Sequence, residues 1–109
     1  MSNFPFKQLK LGDNILLREF KENTKSDELV WHRDKKNRLV EILSGDKWRF
    51  QRDNNIPFIL KENDVIVIPS KEYHRIIKGR GNLLVKIYEV SNKNKSFIKE
   101  ENKMKISKN

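Results

Sequence analysis

Turn-forming residues interrupt this chain so often that no long helix fits between the interruptions. Gly12-Asp13-Asn14, Lys35-Lys36-Asn37, Ser44-Gly45-Asp46, Asp53-Asn54-Asn55, Glu62-Asn63-Asp64 and Lys78-Gly79-Arg80-Gly81-Asn82 each gather residues that tolerate tight backbone bends. Between them lie eight runs of strand length, at 15–20, 28–34, 38–43, 47–52, 56–60, 65–68, 73–77 and 83–90. Val65-Ile66-Val67-Ile68 is apolar, β-branched and stopped by Pro69, the pattern of a buried strand. No segment carries the period and caps of a long helix. The pattern predicts an all-β, antiparallel barrel or sandwich, and jelly rolls share this strand count.

A chain of 109 residues makes one domain with a core that needs no staples. We divide it into a lead-in arm (1–14), the barrel (15–90) and a Lys-rich tail (91–109). The tail offers only Phe97, Ile98, Met104 and Ile106 for burial. No apolar run approaches the roughly 20 residues needed to span a bilayer. Residues 1–7 lack the apolar core of a signal peptide, so a cytoplasmic location is expected. The absence of cysteine excludes disulfides, thiolate nucleophiles and zinc–thiolate sites. The net charge of +9 divides into +4 from the tail, with six Lys against two Glu, and +5 from the rest. Acids are interleaved with bases, as in Arg18-Glu19-Phe20-Lys21-Glu22, which describes a solvated surface. Neither nucleic acid nor a membrane is an expected partner.

Two stretches carry chemistry. In an extended chain His32 and Asp34 project to one side, and after a short bend Arg38 can return beside them. In the second stretch a buried strand runs into Pro69, and His74 opens the next strand. These are the only two histidines in the chain. Together the stretches resemble the paired motifs of the cupin superfamily. The first motif of that family is His, one residue, His, three or four residues, Glu, six residues, Gly, and His32, Asp34, Arg38 and Gly45 occupy it. The second is Gly, five residues, Pro, one residue, Gly, two residues, His, and Asn63, Pro69, Lys71 and His74 fall in register. Spacing is matched throughout, but identity is kept only at His32, Gly45, Pro69 and His74.

The resemblance implies a double-stranded β-helix barrel whose mouth binds a divalent metal, Fe(II), Mn(II), Ni(II) or Zn(II). His32, Asp34 and His74 would be its ligands, a two-His, one-carboxylate set familiar from non-haem iron sites. Arg38 stands where the family has its ligand Glu, and a guanidinium cannot bind a metal. It either clamps a substrate carboxylate or phosphate, or it pairs with Asp34 and the metal site is lost. Trp48 and Gln51 follow the first motif where cupins line their cavity and are candidate substrate contacts, although core packing suits Trp48 and Phe50 as well. Val30, Val40, Ile42 and Ile76 share the parity of the ligands and should form an apolar wall, with Tyr73 turned away. Two functions fit. One is a metal-dependent enzyme acting on a small anionic metabolite, with lyase, isomerase and oxygenase chemistry all open. The other is a metal-free small-molecule binder with a degenerate site. A homodimer is a further implication of the family.

Overall fold

A computed structural model describes residues 6–25 and 29–90; the tail lies outside them. Their strands are β1 (Phe6–Gly12), β2 (Ile15–Phe20), β3 (Asn37–Asp46), β4 (Arg49–Arg52), β5 (Phe58–Ile59), β6 (Val65–Ile68), β7 (His74–Ile77) and β8 (Arg80–Val90). All pairing is antiparallel, in a five-stranded sheet β1-β2-β8-β3-β6 and a three-stranded sheet β5-β4-β7. Among the described residues there is no helix, so none long and apolar enough to cross a membrane.

One long ribbon builds both sheets. β3 pairs with β8 as far as Asp46 opposite Arg80, and the same two chain segments continue as β4 and β7, with Arg49 opposite Ile77. The corner between them is tight. A Cβ on Gly79 would lie well under 3.0 Å from the Asp46 carbonyl oxygen and the Trp48 nitrogen, so only glycine fits. Lys47 turns the other strand at φ 60°. Trp48 plugs the corner at 0% exposure, and its indole N–H donates to the Arg80 and Gly81 carbonyls (3.3 and 3.1 Å). Burying a side chain of that size contributes about 4–6 kcal/mol by area.

Alternation sorts the larger sheet into faces. Phe20 on β2, Val40 and Ile42 on β3, Ile66 and Ile68 on β6, and Leu83, Val85 and Ile87 on β8 point inward and are buried. Phe50 and Ile76 face them from the smaller sheet. The two sheets enclose a cavity of about 510 Å³ between these side chains.

Four local expectations change. The lead-in arm is a strand, because residues 6–12 pair with β2 along their length. The strand expected at 28–34 reduces, within the described residues, to a single bridge between His32 and His74. Its neighbouring polar groups go elsewhere: the Asp34 carbonyl accepts from Lys71 N (2.8 Å) and the Val30 carbonyl is met by His32 Nδ1 (3.0 Å). The strand expected at 56–60 holds only Phe58–Ile59, as Pro57 has no N–H to give a ladder. β8 starts three residues early, at Arg80, with Gly81 at φ +62°.

Candidate metal and ligand site

The segment around His32 is held by backbone bonds. His32 N donates to the His74 carbonyl (3.0 Å), His74 N to the His32 carbonyl (2.9 Å), and Lys71 N to the Asp34 carbonyl (2.8 Å). The bridge explains why residues as far apart in sequence as His32 and His74 act as one site. Asn63 and Lys71, which stand at glycine positions of the cupin motif, adopt φ 73° and 66°. Glycine reaches that left-handed region without strain, which suits the residue that the motif has at both positions.

His32, Asp34 and His74 converge, with one ligand atom from each lying within 4.8 Å of the others. His74 Nε2 is 3.3 Å from Asp34 Oδ2 and His32 Nε2 is 3.8 Å from Asp34 Oδ1. Ligands on one ion at bond lengths of about 2.0–2.2 Å sit about 3–3.5 Å apart at tetrahedral or right angles, so the set is close to coordination spacing. The outer ring nitrogens are spoken for. His74 Nδ1 meets the Glu72 carbonyl (2.9 Å) and His32 Nδ1 meets the Val30 carbonyl (3.0 Å). A carbonyl can only accept, so each Nδ1 carries the proton, and in the neutral rings each Nε2 lone pair faces Asp34. Metal-binding histidines are oriented in this way.

Asp34 Oδ2 is buried and has no hydrogen-bond partner, the one such side-chain atom among the described residues. A buried acceptor without a donor costs about 1–3 kcal/mol. Beside neutral imidazole rings it asks for a cation, which a metal ion or a proton on His74 Nε2 supplies. Burial alone would raise the Asp34 carboxyl, but a hydrogen bond from the His74 ring when its Nε2 is protonated, the Arg38 charge, and the charges that His74 and His32 carry in their protonated forms hold it below the usual carboxylate range. The residues present therefore fit a divalent metal. His74 is itself part of the core, 3% exposed and stacked on Phe50 at 5.5 Å, whereas His32 faces solvent.

The other expected site residues divide. Arg38 lies at the site, but its guanidinium is committed to two carboxylates. Nε and Nη2 donate to Glu89 Oε2 (3.1 and 2.8 Å), and Nη1 is 3.2 Å from Asp34 Oδ1. Trp48 and Gln51 are absent from the cavity wall. Trp48 fills the corner described above. Gln51 sits one position out of phase with Phe50, accepts from Arg75 Nε and donates to the Asn55 carbonyl. The apolar wall does contain Val30, Val40, Ile42 and Ile76, and the half-exposed Tyr73 lies outside it.

Two charged residues were missed. Glu89 extends the inward series Leu83, Val85, Ile87 on β8, and Arg18 stands between Leu16 and Phe20 on the inward face of β2. A charge at inward parity was the available signal for both. Burial lowers the Arg18 guanidinium to about 10, with help from the Arg38 charge and opposition from Asp34 and Glu89, so it is still a cation at neutral pH.

Two sheets around an apolar cavity, with a His-Asp-His group at its rim, define the fold as that of the cupin superfamily. Similar solved structures include a cupin-like protein from Thermotoga maritima, 22% identical with a TM-score of 0.56 over 76% of this chain and 65% of that one. A cupin 2 conserved barrel domain protein from Leptotrichia buccalis is 24% identical, with a TM-score of 0.58 over 78% of this chain and 40% of that one. A DMSP lyase from Ruegeria pomeroyi is 13% identical, with a TM-score of 0.59 over 81% of this chain and 48% of that one. This chain thus spans less than half of the last two. No family profile matches the sequence, and no curated protein matches it.

Proposed function

We propose that this chain is a metal-dependent cupin that binds and transforms a small anionic metabolite, with His32, Asp34 and His74 holding the metal. The observation that carries this is the buried Asp34 carboxylate, its Oδ2 without a hydrogen-bond partner and 3.3 Å from His74 Nε2 and its Oδ1 3.8 Å from His32 Nε2, with both Nδ1 protons spent on carbonyls. A divalent metal held by His32, Asp34 and His74 would supply Lewis acidity there. The chain's own residues do the rest. The Glu72 and Val30 carbonyls fix the imidazole tautomers, and the apolar walls from both sheets exclude water and receive the substrate's carbon skeleton. Lyase chemistry has a structural neighbour in the DMSP lyase; fold alone does not choose a reaction. We further propose a homodimer formed over the edge strand β5, where Ile56, Phe58 and Ile59 are exposed.

The test is metal analysis of the purified full chain after supply of Fe(II), Mn(II), Ni(II) or Zn(II). We expect about one equivalent to be retained, and His32→Ala or Asp34→Asn to lose it with the β-sheet circular dichroism unchanged. Substitution of His74 is a poor probe, since His74 is packed in the core. Failure of the wild type to retain any of the four metals would reject the metal. The metal-free binder would then hold, and one observation already favours it: Arg38 Nη1 lies 3.2 Å from Asp34 Oδ1 and partly neutralises that carboxylate.

A further inference from the structure

Arg18 is a cation on the inner face of the larger sheet, in register with Val85 on one side and Gln8 on the other. It lines the cavity shared with His32, Asp34 and His74. Its surroundings are built to hold it. Nε and Nη2 both donate to Gln8 Oε1 (2.8 and 2.6 Å), and the guanidinium lies 3.8 Å over the Phe6 ring. Phe6 is in turn braced edge-on by Phe20 at 5.4 Å. Stacking and a fork of two hydrogen bonds fix the plane of the group before any ligand arrives.

That arrangement uses two of the five guanidinium N–H donors. The remaining three, both on Nη1 and one on Nη2, form the end-on edge that grips a carboxylate with two parallel bonds. No carboxylate of the described residues makes an ion pair with Arg18, whereas the nearby Asp34 and Glu89 are both engaged by Arg38. Among the described residues Arg18 and Arg38 are the only Lys or Arg in the cavity wall, so Arg18 is the one of the two left with an open edge.

We propose that Arg18, rather than Arg38, is the anion-recognising residue, and that the ligand is a monocarboxylate with an apolar body. One open cation matches one negative charge, whereas a dianion would leave excess charge against Phe6, Phe20 and Val85. The body then lies along the apolar wall, and its other end reaches the His-Asp-His group. The assignment rests on the small-molecule reading of the cavity and is independent of whether a metal is held.

The probes are hexanoate and its uncharged counterpart hexan-1-ol, titrated calorimetrically into the full chain, once in chelator and once loaded with Mn(II). The wild type should prefer hexanoate by tenfold or more in both conditions. Arg18→Gln should erase that preference while still binding hexanol, which shows the cavity intact, and should leave Mn(II) retention unchanged. Arg18→Lys keeps the charge without the fork and should retain a severalfold preference; it decides the matter if the Gln variant does not fold. An equal preference in wild type and Arg18→Gln overturns the proposal. So does a preference present only with Mn(II), which would place the carboxylate on the metal, and so does absence of binding by either probe. If the chain holds no metal but Arg18→Gln still erases the preference, the metal assignment fails and Arg18 stands.

Discussion

Replacing Arg38 by Met removes one charge from the rim of the cavity and keeps most of the side-chain volume. The guanidinium is 3.2 Å from Asp34 and 2.8 Å from Glu89, and the three side chains are 15%, 12% and 19% exposed for Arg38, Asp34 and Glu89. A unit pair at that distance attracts by about 5 kcal/mol at an effective dielectric of about 20, before desolvation is subtracted. Removing one partner of a buried pair costs about 3–5 kcal/mol, and partial exposure lowers this here to about 2–4 kcal/mol. In chelator the variant should melt about 10–20 °C below wild type. A divalent ion should reverse the order of benefit. The cation that competes for Asp34 is gone, so affinity should rise by about tenfold or more, and metal at a hundredfold excess over Kd returns about 2.7 kcal/mol. Melts of both proteins in chelator and across a Mn(II) titration read the two effects separately. An unchanged melting point in chelator would show that Arg38 does not balance the carboxylates. Equal metal stabilisation of both proteins would show that it does not compete with the ion.

Asp34 has a lowered folded-state pKa, so its ionised form stabilises the fold above the ordinary carboxylate range near 4 and that contribution is lost as pH falls below it. The acid limb of a metal-free stability profile should flatten in Asp34→Asn; a parallel limb would place the acid-sensitive group elsewhere. Gly79→Ala must displace the backbone of Asp46 and Trp48, and should cost about 3 kcal/mol or more or prevent folding, read by urea titration. Lys71→Gly relieves about 1–2 kcal/mol of left-handed strain against about 0.5–1 kcal/mol of added chain entropy, so its melting temperature should rise by a few degrees. A fall would mean that the Lys71 side chain contributes more than its backbone costs.

Much of this molecule is written in local chemistry. The turn clusters and the run Val65 to Ile68 specify short strands, and alternation puts Val40, Ile42 and Ile76 on the wall with His74, while Val30, His32 and Asp34 reach it through the single bridge of His32 to His74. Asn63 and Lys71, at the two positions where the second motif has glycine, take positive φ values. Partnership is another matter, because pairing across a sheet joins residues with no fixed relation in sequence. Glu89 meets Arg38 only because β8 lies beside β3, which adds a second carboxylate to the pairing with Asp34 that the sequence offered as one of two readings of Arg38. Trp48 leaves the cavity because the ribbon bends at Gly79, and its indole caps the corner. Residues 6–12 look too polar for a core strand, yet their pairing with β2 brings Phe6 and Gln8 to Arg18. The charge pattern of β2 shows an inward arginine; only the assembled sheets show that no carboxylate of the described residues pairs with it.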